Sequence, residues 1–162
     1  MSQRISRRRF VFLGTMSIAA AGLSRRAAFA APNSKLRTAH IGVGGMGGAD
    51  LGSIASHAKV EVAALCDVDA NTLNAAKAGH PKAQTFRDYR EMLSKLGDSI
   101  DAVVVSTPDH THAPAAMSAL NAGKPVYCQK PLTHEVFEAR QLRVQAEKQK
   151  DRKSTRLNSS HT

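Results

Sequence analysis

Gly42, Gly44 and Gly47 stand in the spacing G-x-G-x-x-G, directly after a run rich in β-branched residues and before a helix-like stretch. In that context the first glycine permits a tight turn and the second lets the backbone approach a pyrophosphate. The third lets helix and strand pack closely. Gly45 and Met46 belong to the same glycine loop, which leads into a helix whose N-terminal amides, without intrahelical partners, favour an anionic ligand. Asp67 follows twenty residues after Gly47, at the end of a second apolar run. A carboxylate there accepts hydrogen bonds from an adenosine ribose and repels a 2′-phosphate, which favours NAD over NADP. Asp69 is the alternative acceptor. Two further groups invite chemistry less strongly. His110-x-His112 has the look of a metal pair but lacks a third ligand cluster, so no metal is expected. Cys66 and Cys128 sit in strand-like apolar runs, where cysteine behaves as a small buried hydrophobe; the sequence leaves a disulfide between them open.

The elements that must position these residues alternate strand and helix. Strands are expected at 37–43, 60–66, 83–86, 102–106 and 126–128. Helices are expected at 49–57, 70–78, 89–96, 111–122 and 134–150. Gly79, Gly97 and Gly123 read as helix stops, and Pro114 falls in a first helical turn where its ring is tolerated. Five strands alternating with helices imply an α/β fold: a doubly wound parallel sheet covered on both faces, the Rossmann architecture. The sheet is expected to be incomplete at its C-terminal end, where residues 151–162 interrupt it and a sixth strand would follow.

Two later motifs complete a resemblance. Ser106-Thr107-Pro108-Asp109-His110-Thr111-His112 and Ala122-Gly123-Lys124-Pro125-Val126-Tyr127-Cys128-Gln129-Lys130-Pro131-Leu132 resemble the TP-x-x-x-H and A-G-K-x-V-x-x-E-K-P-L signatures of the Gfo/Idh/MocA oxidoreductases. The glycine loop and Cys66-Asp67-Val68-Asp69 fit the same family in the same order, so the resemblance covers residues 36–150. It implies an NAD(P)-binding domain followed by a substrate and oligomerisation domain, and a homo-oligomer at full length. It also implies hydride transfer to or from a sugar, cyclitol or related polyol. Lys130 then corresponds to a catalytic lysine near nicotinamide and substrate; a solvated loop lysine is the plainer reading. Thr107, Pro108 and His112 correspond to the loop lining the cofactor, and Gln129 to a cofactor contact where the family has glutamate. The acid–base residue, often a histidine, is expected in the second domain. Two other functions stay open: a redox-neutral NAD-dependent glycosidase or lyase, and a non-catalytic dinucleotide-binding module.

The ends of the chain carry most of its charge. Of a formal net charge of +10, residues 1–30 contribute +6 and residues 151–162 contribute +2. The remaining 120 residues carry only +2, so the basic total gives no reason to expect a nucleic-acid partner. Ser6-Arg7-Arg8-Arg9-Phe10-Val11, a mildly apolar stretch to Leu23 and Ala28-Phe29-Ala30 form a twin-arginine export pattern with a small-residue cleavage site. That predicts passage through the Tat translocase to the periplasm, or a membrane anchor if the segment stays uncut. Residues 151–162 read like the in-frame translation of a sequencing adapter, so no function is assigned to them.

Overall fold

The computed structural model describes residues 35–149 and 155–157. The export pattern at 1–30 lies outside the described residues, as does all of 151–162 except 155–157. The chain builds β1 (Leu36–Ile41), α1 (Gly45–Ala55), β2 (Val60–Cys66), α2 (Ala70–Gly79), β3 (Gln84–Phe86) and α3 (Tyr89–Leu96). It continues through β4 (Ala102–Val105), α4 (His112–Asn121), β5 (Val126–Cys128), α5 (Val136–Lys148) and β6 (Thr155–Leu157). All strand pairings are parallel and the order is β3-β2-β1-β4-β5-β6. This is the doubly wound Rossmann sheet, with its switch point between β1 and β4.

Two apolar clusters explain why the sheet is covered on both sides. Leu51 of α1 and Leu73 of α2 pack with Val62 and Leu65 on one face. Met92, Leu93 and Leu96 of α3, Ala115, Ala116 and Leu120 of α4, and Leu142 of α5 pack with Ile41, Cys66, Val103 and Val105 on the other. Val103, Val104 and Val105 are all buried, which accounts for the uninterrupted apolar run of β4. At the amino edge of the sheet the Arg37 guanidinium donates to both carboxylate oxygens of Asp101, tying β1 to the turn before β4.

Several boundaries differ from expectation, each for a physical reason. α1 starts at Gly45 rather than at residue 49, because sheet packing rather than intrinsic propensity carries a glycine-rich first turn. Gly79 is the last residue of α2, with His80 as its cap, and Gly97 keeps right-handed helical angles and leads into a 3₁₀ turn. Gly123 does stop α4: its φ is +73°, its amide donates to Leu120 O and the Lys124 amide donates to Ala119 O. Those two bonds are a Schellman closure. The five expected strands are joined by a sixth, β6, which pairs with β5 where the sheet is expected to break off. Ladder bonds are made by main-chain groups, so a strand edge accepts an extended segment of almost any sequence.

Candidate functional site

The glycine loop, Asp67, Thr107, Pro108, Gln129 and Lys130 follow the carboxyl ends of β1, β2, β4 and β5, and the ladder continues one residue beyond three of the strands to fix them. The Gly42 amide donates to Cys66 O, the Ser106 amide to Ile41 O and the Gln129 amide to Val105 O, each at 2.9 Å. The loops after β1, β4 and β5 therefore leave the sheet from anchored points.

The glycine loop turns tightly. Gly42 has φ +81°, and a Cβ there would stand 2.7 Å from Ser106 O. A Cβ on Gly47 would collide with the carbonyl oxygen of Gly42. First and third glycines are thus required by the backbone itself. Gly44 caps α1 without a side-chain hydrogen bond, and no acidic residue occupies the first turn, so the positive end of the helix faces outward undiminished. Met46 is exposed on this turn and Gly47 is buried beneath it.

Asp67 closes the loop from the side. Its Oδ2 accepts from the Val43 amide at 2.9 Å and its Oδ1 from the Asp69 amide at 3.0 Å, which leaves acceptor capacity on a half-buried carboxylate. Asp69 is engaged otherwise: it caps α2, accepting from the Asn71 amide and the Thr72 hydroxyl. Those bonds hold its carboxyl below the usual range. The structure thus separates two acids that the sequence left as alternatives.

Across the switch point, Ser106 and Thr107 leave β4, and Gln129 and Lys130 leave β5. The Thr107 hydroxyl is buried without a hydrogen-bond partner among the described residues. Pro108 is exposed beside it. His112 lies beneath this loop rather than on it. It is 1% exposed, with Nδ1 2.7 Å from Pro131 O and Nε2 2.6 Å from Thr107 O. The ring stitches the two loops together and presents neither nitrogen outward, whereas His110 is exposed. The Lys130–Pro131 peptide is cis. Lys130 is exposed, and its ammonium makes no hydrogen bond among the described residues.

Asp50 joins the site without a sequence motif to mark it. From α1 its carboxylate accepts from the Ser106 hydroxyl at 2.7 Å and from the Gln129 amide nitrogen at 3.0 and 3.1 Å. Nothing in the spacing of positions 50, 106 and 129 signals this; the one hint was glutamine in place of glutamate at 129. Asp50 also borders a cavity of about 420 Å³ on the sheet face beside α1, reached by Thr38, Val104 and Tyr127. That cavity lies beside the glycine loop, not over it.

Cys66 and Cys128 are free and buried, and burial pushes each thiol up to about 12. They occupy β2 and β5, three strand spacings or about 14 Å apart, too far for a disulfide. Among the described residues no three His, Cys, Asp or Glu side chains gather into a metal site, and no helix is long and apolar enough to cross a membrane.

A glycine turn feeding a helix N-terminus, an acid at the end of β2 and a switch point beside them define a dinucleotide-binding α/β domain. Residues 36–156 match the family model described as an oxidoreductase family with an NAD-binding Rossmann fold, GFO_IDH_MocA, and the chain belongs to that family. It is 32% identical over 102 residues to an inositol 2-dehydrogenase of Corynebacterium glutamicum, covering 62% of this chain and 30% of that protein. Over 136 residues it is 35% identical to a glycosyl hydrolase family 109 protein of Stenotrophomonas maltophilia, covering 77% and 29%. The crystal structure of scyllo-inositol dehydrogenase from Lactobacillus casei with bound NAD(H) and scyllo-inositol superposes with a TM-score of 0.70 at 25% identity, covering 77% of this chain and 36% of that one. The chain spans about a third of the length of these proteins. It is an NAD-binding oxidoreductase-family domain related to inositol and polyol dehydrogenases.

Proposed function

We propose that this chain is the cofactor-binding part of an exported oxidoreductase that moves hydride between NAD and a sugar, cyclitol or related polyol. The observation that carries it is the convergence, at one sheet edge, of the bare N-terminus of α1, the Asp67 carboxylate and the anchored loops bearing Thr107 and Lys130. The cradle fits the dinucleotide: Gly42 and Gly47 allow the tight turn that a Cβ would block, Gly45 opens onto free space, and an acid with acceptor capacity stands beside it.

In this reading the first-turn amides of Gly45, Met46 and Gly47 receive the pyrophosphate. Asp67 accepts from the ribose hydroxyls. Thr107 and Pro108 flank the nicotinamide end, Gln129 contacts its ribose side, and His112 holds the two loops at their spacing. Lys130 donates a hydrogen bond to the reacting oxygen of the substrate and stabilises charge that develops there. NAD, when bound, supplies the hydride acceptor or donor.

The likeness to the Stenotrophomonas maltophilia protein favours one second reading, a glycosidase or lyase with no net redox change. The twin-arginine pattern supports export by the Tat translocase to the periplasm, with an uncut membrane anchor as the variant reading, and the family resemblance supports a homo-oligomer at full length. One experiment tests these together. The full-length protein, expressed in a bacterium with a twin-arginine route, is fractionated, sized and given cyclitols, sugars and glycosides with NAD. Recovery from the periplasm as an oligomer with polyol-dependent NADH formation is expected. Glycoside cleavage without net NADH selects the second reading, and NAD binding without either reaction leaves only a binding module.

A further inference from the structure

Asp50 is the one acid of the site whose contacts join three chain segments far apart in sequence. It sits on α1 one turn after Gly47. Its Oδ2 accepts from the Ser106 hydroxyl after β4, and both carboxylate oxygens face Nε2 of Gln129 after β5. The other end of the same Gln129 amide is also engaged: Oε1 accepts from the backbone amide of Lys130 at 2.7 Å. Asp50 makes no ion pair among the described residues; donors from neutral side chains satisfy it. The series Ser106–Asp50–Gln129–Lys130 is therefore directional, with each donor matched to an acceptor.

We propose that Asp50 is the positioning residue of this site, locking the loops after β4 and β5 to α1 and orienting Gln129 to hold the Lys130 amide, and that it thereby dictates glutamine at position 129. The link to the nicotinamide end and to Lys130 rests on the function proposed above. The hydrogen bonds from Ser106 through Asp50 and Gln129 to the Lys130 amide do not depend on it.

A glutamate at 129 would exchange the donor Nε2 for an oxygen. Two carboxylates would then face each other at about the 3.0 Å of the present contact. Like charges that close do not both stay ionised, so the pair would either hold a proton or part. Parting by side chain 129 releases its hold on the Lys130 amide, and parting by Asp50 frees the Ser106 hydroxyl. Asparagine at 50 reverses the polarity, because its amide nitrogen donates to a glutamate at 129 while its oxygen still accepts from Ser106. Position 50 therefore selects what position 129 can be. The family motif read at positions 129–132 alone could not disclose this, since the selecting residue lies 79 positions upstream.

The titratable groups facing this pair are few. His40 of β1 lies under α1 within electrostatic reach of Asp50, Tyr127 of β5 borders the same cavity, and Lys130 follows Gln129 directly. They are common to every variant, so differences from the parent chain at each pH remove their contributions to first order.

The test uses the 162-residue chain as parent, Gln129→Glu, Asp50→Asn and the double variant, with thermal unfolding followed at pH 8 and pH 5.5. Relative to the parent, Gln129→Glu should lose several degrees in Tm at pH 8 and recover most of that at pH 5.5, where the pair takes up a proton. The double variant should match the parent at both pH values. In nitrogen–proton correlation spectra the Lys130 amide should move in Gln129→Glu at pH 8 and return in the double variant. A Gln129→Glu chain with the parent's Tm at both pH values overturns the proposal, and so does a loss that Asp50→Asn fails to rescue. If Gln129→Glu does not fold at pH 8, a folded double variant supports the coupling and an unfolded one overturns it. NAD titration of the same samples separates the two readings. A parent chain that binds no NAD counts against the proposed function, while the Tm pattern still decides the role of Asp50.

Discussion

At the scale of single residues, Asp67 and Asp69 show how two identical side chains two positions apart acquire different work. Asp69 is an N-cap, and its oxygens are taken by the first turn of α2. Asp67 braces Val43 in the glycine loop and retains acceptor capacity beyond the two amides it holds. Replacing Asp67 with serine in the full-length protein should therefore weaken NAD binding by roughly 1.5–3 kcal/mol, the worth of hydrogen bonds to a charged acceptor. It should also narrow the preference against NADP, since the repelling charge is gone. Asp69→Ser should leave NAD affinity close to the parent's, because serine also caps a helix. Titration calorimetry with both cofactors checks this. Unchanged affinity in Asp67→Ser together with a loss in Asp69→Ser would assign the ribose to Asp69. The glycine loop and Asp67 were legible because their spacing is contiguous along one βαβ unit. The contact of Asp50 with Ser106 and Gln129 was not, because only the assembled sheet brings α1 against the loops after β4 and β5.

Among the elements, β1 was expected as a strand entering the glycine loop, and so it is, but its inward residues include a histidine. His40 is 1% exposed between the sheet and α1; Nε2 lies 3.1 Å from the Thr38 hydroxyl, and Nδ1 has no partner among the described residues. Burial pushes its pKa down from 6.5 to about 4. The unfolded ring takes up a proton near pH 6.5 while the folded ring stays neutral to about pH 4, so the unfolded chain binds more protons in that interval. Stability contributed by the neutral ring is whole above pH 6.5 and is lost as the pH falls toward 4, by up to roughly 3 kcal/mol. Urea unfolding of the parent and of His40→Leu between pH 7.5 and pH 4 measures it. The variant should lose distinctly less stability across that range, and parallel profiles would show that the ring does not titrate on unfolding. Periodicity located this strand because it counts apolar positions. It could not single out a polar residue facing inward, nor start α1 at Gly45, because packing against the sheet decides both.

For the whole molecule, the parallel sheet and its two covered faces follow from the alternating strand and helix patterns, whereas the strand order and the place of the site at the switch point emerge only in the fold. The chain corresponds to 30% of the inositol 2-dehydrogenase of Corynebacterium glutamicum and to 36% of the scyllo-inositol dehydrogenase it resembles in structure. It contains the glycine turn, the Asp67 carboxylate and one exposed lysine at the carboxyl edge of the sheet. Orienting two reactants within a water-excluded site accounts for about 7–11 kcal/mol of barrier reduction in favourable cases. Among the described residues, Lys130 stands exposed with no neighbouring base to hydrogen-bond it, and Met46 lies open on the helix turn. The 162-residue chain should therefore bind NAD while giving no polyol-dependent NADH above a protein-free control. Calorimetric titration with NAD and absorbance at the reduced nicotinamide band, with myo-inositol and scyllo-inositol as probes, test the two halves separately. Turnover by the purified chain would place a complete reaction site within its 162 residues and require a base near Lys130. Failure to bind NAD would shift the weight to contacts supplied from outside them.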